Sequence, residues 1–225
     1  IGKIATRVIV LNTNFCYDAN FDMITTFQDP GNIIAWLEKE LAKVEKEGGA
    51  VIMMSHMGNI DQCERQFGLR WHALMDRYQT VIRWGFAGHE HYDFFQVQKD
   101  VLDSQPIGVN FIVGSMTPNL LYGESKNPSF NVVYLDPETM LPVDLDVYAF
   151  DLEYANIKNR AKWMKSLSYR DSFGMKDLSP KSFKEYADKL FMNETEAVNY
   201  LRHRTSDYSR IHSECNRDCR LQMYC

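Results

Sequence analysis

Two histidines flank a glutamate in Gly88-His89-Glu90-His91, directly after the apolar run 82–87. A third, His56, closes a second apolar run at 50–55. Neutral imidazole nitrogens are common ligands for zinc and other divalent metals. A short buried strand that ends in a polar, histidine-bearing turn can aim such nitrogens at an ion, and this chain has that pattern twice. Gly88 is expected to supply the bend, because glycine turns without a Cβ clash. A lone H-x-H also occurs on surface loops, so the argument for a metal rests on His56, His89 and His91 together. His72 reads as a structural histidine on a helix, and His203 and His212 as surface residues. Met53, Met54 and Met57 read as core filling rather than as a soft-metal site.

The cysteines carry the second chemical signal. Cys215, Cys219 and Cys225 crowd the end of the sequence as C-x3-C-x5-C, whereas Cys16 and Cys63 each stand alone after a predicted strand. A zinc knuckle needs a fourth ligand, which His212 would supply. Disulfides in a secreted or lumenal protein are the other reading, with Cys16 to Cys63 and Cys215 to Cys219 as candidate pairs. Cys225 is then left over and expects a partner further downstream. Asn193-Glu194-Thr195 is an N-glycosylation sequon, in keeping with that compartment. Asn127-Pro128-Ser129 is excluded by its central proline.

Composition narrows the class. The 225 residues are 45% hydrophobic and 13% aromatic, enough to bury a core as one domain or one plus a small appendage. A net charge of -5 without a basic stripe argues against a nucleic-acid scaffold. No apolar run approaches the roughly 20 residues of a membrane span, and no signal peptide is visible. The start Ile1-Gly2-Lys3-Ile4 is not an initiator sequence, so a fragment or processed form is expected.

The elements that must position the histidines follow from periodicity. A buried strand is expected over 7–11, and apolar Ile33, Ile34, Leu37, Leu41 and Val44 predict a helix over 32–47 that Gly48-Gly49 stops. A strand over 50–55 completes a strand, helix, strand unit. A helix over 65–78, a strand over 81–87 and further strands over 92–98 and 106–113 come next. Segments 131–136 and 143–150 read as a pair of edge strands joined through 137–139. Strands that first alternate with helices and later run together predict an α/β sandwich rather than a purely parallel sheet. From about residue 153 the chain turns charged and amphipathic, with helical segments expected over 158–167, 179–191 and 194–204. Ser179-Pro180 is a helix start and Asn193 a cap.

The ordered succession Asn12-Thr13-Asn14-Phe15-Cys16, Trp36-Leu37-Glu38, Ser55-His56-Met57, Gly88-His89-Glu90-His91-Tyr92-Asp93, Gly114-Ser115-Met116-Thr117-Pro118, Asn127-Pro128-Ser129-Phe130 and Cys215-x3-Cys219-Arg220 resembles the acid sphingomyelinase family. That family is the acid sphingomyelinase and acid sphingomyelinase-like branch of the calcineurin-like metallophosphoesterases. The resemblance covers nearly the whole chain and corresponds to the later half of such an enzyme.

What the resemblance implies is specific. The fold would be the C-terminal half of a four-layer metallophosphoesterase β-sandwich flanked by helices, over 1–152, followed by a small disulfide-closed helical domain over 153–225. Two zinc ions would bind a bridging water, lower its pKa and polarise a phosphodiester for in-line attack. His56 and His89 would bind one metal and His91 the other, with Glu90 or Asp93 orienting an imidazole. The family's earlier Asp-x-His, Gly-Asp-x-x-Asp and Gly-Asn-His-Asp/Glu motifs have no match, so the proton-donating histidine and the remaining ligands are expected upstream of Ile1, in a missing N-terminal half. Gly58-Asn59 departs from the proline-containing loop that relatives often place after the histidine, which bears on head-group preference. The substrate implied is sphingomyelin, cleaved to ceramide and phosphocholine, with transient membrane-surface contact and a secreted or lysosomal location. The alternatives are a relative acting on nucleotides or other soluble phosphodiesters, and a catalytically inactive binding or structural relative. Tyr122 would suit cation-π contact with a choline head group, or serve as an ordinary loop aromatic.

Overall fold

The computed structural model describes residues 3–25, 28–58, 62–118, 126–206 and 214–224. Asn59, Tyr122, His212 and Cys225, singled out above, lie outside them.

The chain divides into two compact units, one built from Ile1–Glu90, Phe95–Ile112 and Leu135–Pro142, the other from His91–Phe94, Val113–Tyr134 and Val143–Cys225. In the first unit strands β1 (Thr6–Leu11), β2 (Ala50–Ser55), β3 (Ile82–Ala87) and β5 (Pro106–Ile112) pair in parallel, and β4 (Phe94–Lys99) lies beyond β5, giving the order β1-β2-β3-β5-β4. Helix α1 (Ile33–Lys46) turns Ile34, Leu37, Leu41 and Val44 inward, and α2 (Arg65–Arg77) does the same with Phe67, Trp71, Leu74 and Met75. Both stripes join Ile9, Leu11, Val51 and Met53 in one core. Each such side chain contributes roughly 1.5–3 kcal/mol by leaving water.

Local signals set the helix ends. The Asp29 carboxylate accepts from the N–H groups of Ile34 and Ala35 at 2.8 and 3.0 Å, and Glu64 caps α2 through Gln66 and Phe67. Gly48 takes φ 67°, and the Gly49 N–H donates to the Val44 carbonyl at 2.9 Å, which closes α1 and turns the chain into β2. A Cβ on Gly49 would lie 2.7 Å from the Ala5 carbonyl oxygen, so the turn also needs glycine for the close approach. Cys16 is bonded to Cys63 across 47 residues of sequence.

The second unit holds a three-stranded sheet, β6 (Ser129–Leu135), β7 (Pro142–Ala149) and β8 (Met164–Ser168), with β7 in the middle. Two expectations are corrected here. The segment 143–150 is a central strand, not an edge, and 158–167 is not a helix. Helix α3 (Leu152–Lys158) ends at Asn159, which adopts φ 47°, and β8 then pairs antiparallel with β7. Leu167 enters the core opposite Val147, while Lys165 reaches Asp146 at 2.7 Å. Pairing with a strand some twenty residues earlier overrides the weak helical spacing of 158–167. Short α4 (Tyr169–Phe173) follows, and α5 (Pro180–Met192) and α6 (Glu194–Arg204) form where expected, capped by the Ser179 hydroxyl and the Asn193 amide oxygen. Helix α7 (Arg217–Tyr224) is tied in by the Cys215 to Cys219 disulfide and by the Arg220 guanidinium, which donates to the Phe191 and Cys215 carbonyls.

Candidate metal centre

Parallel β2 and β3 run side by side, with Ser55 opposite Ala87. Their C-terminal ends therefore leave the sheet together, and the Gly88 N–H donates to the His56 carbonyl at 3.0 Å. One residue on, His89 Nδ1 lies 3.1 Å from His56 Nε2, with the rings edge to face at 81°. Crevices at the carboxyl ends of parallel strands are the usual ligand sites of α/β sheets.

The bend is not made where it was expected. Gly88 has room for a Cβ, whose nearest neighbour would be the His56 carbonyl oxygen at 4.0 Å. The left-handed residues are His89 and His91 themselves, at φ 70° and 63°. A left-handed conformation is costly for a residue with a Cβ, and it persists where the surrounding structure over-determines it, as at ligand sites.

The electrostatics favour neutral imidazole. Burial, and next the like charge of His89, hold the His56 pKa below the usual histidine value. Two nitrogens bound to one tetrahedral zinc at 2.0–2.1 Å stand about 3.3 Å apart. The His56 to His89 separation is close to that, so this pair fits a shared zinc ion both in donor type and in spacing. His91 opens the second unit. Among the described residues no group of three His, Cys, Asp or Glu side chains converges as a ligand set, so a four-coordinate ion needs donors beyond this pair.

Neighbours to which the sequence assigned no role at the site hold the pair in place. The Thr13 hydroxyl, just past the end of β1, accepts from the Met57 N–H at 2.8 Å and fixes the chain beyond His56. Tyr17 packs edge-on against His89, with ring centroids 5.5 Å apart. Thr13 lies within the Asn12-Thr13-Asn14-Phe15-Cys16 motif and Tyr17 directly follows it, the one signal the sequence held for them. Asn110 reaches over from β5 and donates to the Gly58 carbonyl at 3.0 Å.

Glu90 accepts from the Gln62 amide. The Asp93 carboxylate is buried and accepts from the Tyr169 hydroxyl at 2.9 Å. Burial pushes the Asp93 pKa up to about 6, against the pull of its hydrogen bonds from Tyr169 and the Gly114 N–H. His72 Nε2 lies 2.6 Å from the Lys99 carbonyl, a structural contact. His203 is half-buried rather than on the surface, edge-on to Phe173. Met57 is buried. Asn193 is exposed, and its amide oxygen caps α6, which leaves the amide nitrogen, the atom a glycan joins, outside that bond.

Residues 105–225 match the family model described as the acid sphingomyelin phosphodiesterase C-terminal region. The chain is 31% identical to sphingomyelin phosphodiesterase 1 of Caenorhabditis elegans over 97% of its own length and 38% of that protein's. It is 27% identical to the cyclic GMP-AMP phosphodiesterase SMPDL3A of Rattus norvegicus, over 97% of this chain and 51% of the relative, and 26% identical to the sphingomyelin phosphodiesterase of Homo sapiens, over 97% and 35%. It thus spans between about a third and a half of the length of these relatives. With more than half of its residues matched, the chain belongs to the acid sphingomyelin phosphodiesterase family, in the part that the C-terminal region defines.

Proposed function

We propose that this chain carries part of the dinuclear zinc site of a phosphodiesterase that hydrolyses sphingomyelin to ceramide and phosphocholine. The observation that carries the reading is the pair His56 and His89, whose facing nitrogens close two neighbouring parallel strands. In this reading His56 and His89 hold one zinc ion and His91 contributes to the second, within a four-layer metallophosphoesterase sandwich. The remaining ligands and the proton-donating histidine come from a segment before Ile1, in keeping with the partial span of the relatives. Zinc bound there supplies a Lewis acid and a water of lowered pKa for attack at phosphorus. The residues of this chain prepare that chemistry: partial burial and the like charge of His89 lower the His56 pKa, which favours the imidazole form that has a lone pair to give, Thr13 fixes the turn that follows it, and Tyr17 braces the His89 ring.

The two disulfides fit an oxidising compartment, secreted or lysosomal, with Asn193 as the glycan acceptor. A second reading takes nucleotides as substrate, because one relative of this family is named a cyclic GMP-AMP phosphodiesterase. Zinc-loaded protein extended to the full span of its relatives should release phosphocholine from sphingomyelin vesicles, and His89→Ala in that protein should abolish release. Turnover of cyclic GMP-AMP alone would favour the second reading. Zinc uptake with turnover of neither would mark a binding protein without catalysis.

A further inference from the structure

A cavity of about 270 Å³ lies within the second unit, lined by Tyr92, Leu201, Arg204, Thr205, Gln222 and Met223, with Cys219 of the terminal disulfide in its wall. Three chain segments are clamped together beside it. The Asp93 N–H donates to the Arg204 carbonyl at 3.1 Å, and the Asn127 N–H donates to the Thr205 carbonyl at 3.2 Å. These bonds bring two cations to one ring: Lys126 Nζ is 5.0 Å and the Arg204 guanidinium 5.4 Å from the centroid of Tyr92. The Arg204 guanidinium also lies 4.8 Å over Phe94.

Neither cation has a carboxylate partner among the described residues. Lys126 is 4% exposed. Arg204 Nε is buried with no acceptor among the described residues. Burial draws the Lys126 pKa below the ordinary lysine range, a sign that its charge is held at a cost. The contact with Tyr92 offsets part of that cost, on the order of 1–2 kcal/mol for a desolvated cation over an aromatic face. The remainder calls for an anion.

We propose that this cavity is a binding site for a phosphate-class oxyanion, separate from the histidine pair. The planar guanidinium of Arg204 suits two oxygens of one phosphate, with Lys126 as a second positive charge on the shared Tyr92. Thr205 and Gln222 line the polar part of the wall, and Leu201 and Met223 leave an apolar side where the substituent of an ester would lie.

Titration calorimetry on the whole chain, stripped of metal by a chelator, tests this with two probes: inorganic phosphate, and phosphatidylcholine vesicles with and without phosphatidic acid. Saturable phosphate binding that survives His56→Ala and weakens about tenfold or more in Arg204→Gln supports a site for free phosphate. Binding confined to the phosphatidic acid vesicles, with the same loss in Arg204→Gln, supports the site with a lipid head group as its source. Lys126→Met is the second variant, to be read wherever Arg204→Gln fails to fold by circular dichroism, and the same weakening is expected. No saturable binding of either probe, or binding equal in the wild type and both variants, overturns the proposal. Loss in His56→Ala with none in Arg204→Gln also overturns it, since the anion would then sit at the histidine pair.

Discussion

His56 Nε2 and His89 Nδ1 face each other at 3.1 Å across the ends of two neighbouring parallel strands, though 33 residues separate them in sequence. Removal of either imidazole is expected to weaken zinc binding by about a hundredfold or more, since loss of even an outer-shell partner costs tenfold to a hundredfold. Competition calorimetry on His56→Ala and His89→Ala would measure this. Affinity should also fall as pH is lowered, because a protonated imidazole has no lone pair to give.

Two nearby glycines should respond in opposite ways. A Cβ on Gly58 would lie 2.5 Å from both Asn110 Nδ2 and Ile112 Cδ1 and 2.8 Å from Ala87 Cβ, so Gly58→Ala should destabilise the protein by about 1–3 kcal/mol. Gly88→Ala meets nothing nearer than 4.0 Å and is expected to change stability by less than about 0.5 kcal/mol. Urea denaturation of both variants would separate the two.

Tyr169, at the start of α4, donates a buried hydrogen bond to Asp93, two residues after His91. Tyr169→Phe removes the hydroxyl donor and leaves the carboxyl short of a partner in the interior. A loss of about 1–3 kcal/mol is expected in the same denaturation experiment.

Asp177 gives a pH dependence. Hydrogen bonds from Ser179 and Ser182 lower its pKa to about 2 from 3.8. A carboxyl with a depressed folded-state pKa adds stability that is fully present above its unfolded value and is lost as pH falls through its folded value. The decline therefore belongs between about pH 4 and pH 2. The group is largely open to solvent, so its share is under about 1 kcal/mol. Denaturation midpoints for Asp177→Asn should fall less steeply than those of the wild type over that window.

Much of the architecture was legible in the amino-acid sequence because it is encoded between near neighbours. The stripe Ile34, Leu37, Leu41 and Val44 with the Gly48-Gly49 stop defines α1, the apolar run 50–55 is β2 from end to end, and Ser179 and Asn193 cap the helices that follow them. The placement of His56 and His89 at strand ends was readable for the same reason. What only the tertiary structure decided depends on partners far along the chain. Strand β8 exists because β7 is there to pair with it, so the segment 158–167 could not declare itself alone. The left-handed turns fall on His89 and His91 rather than on Gly88, and the two imidazoles meet only because β2 and β3 are parallel and pair Ser55 with Ala87 at their ends. The gathering of Lys126 and Arg204 on Tyr92 likewise rests on backbone bonds between segments far apart in sequence. Periodicity and capping are short-range; strand partners and the convergence of charges are settled when distant segments bury one another.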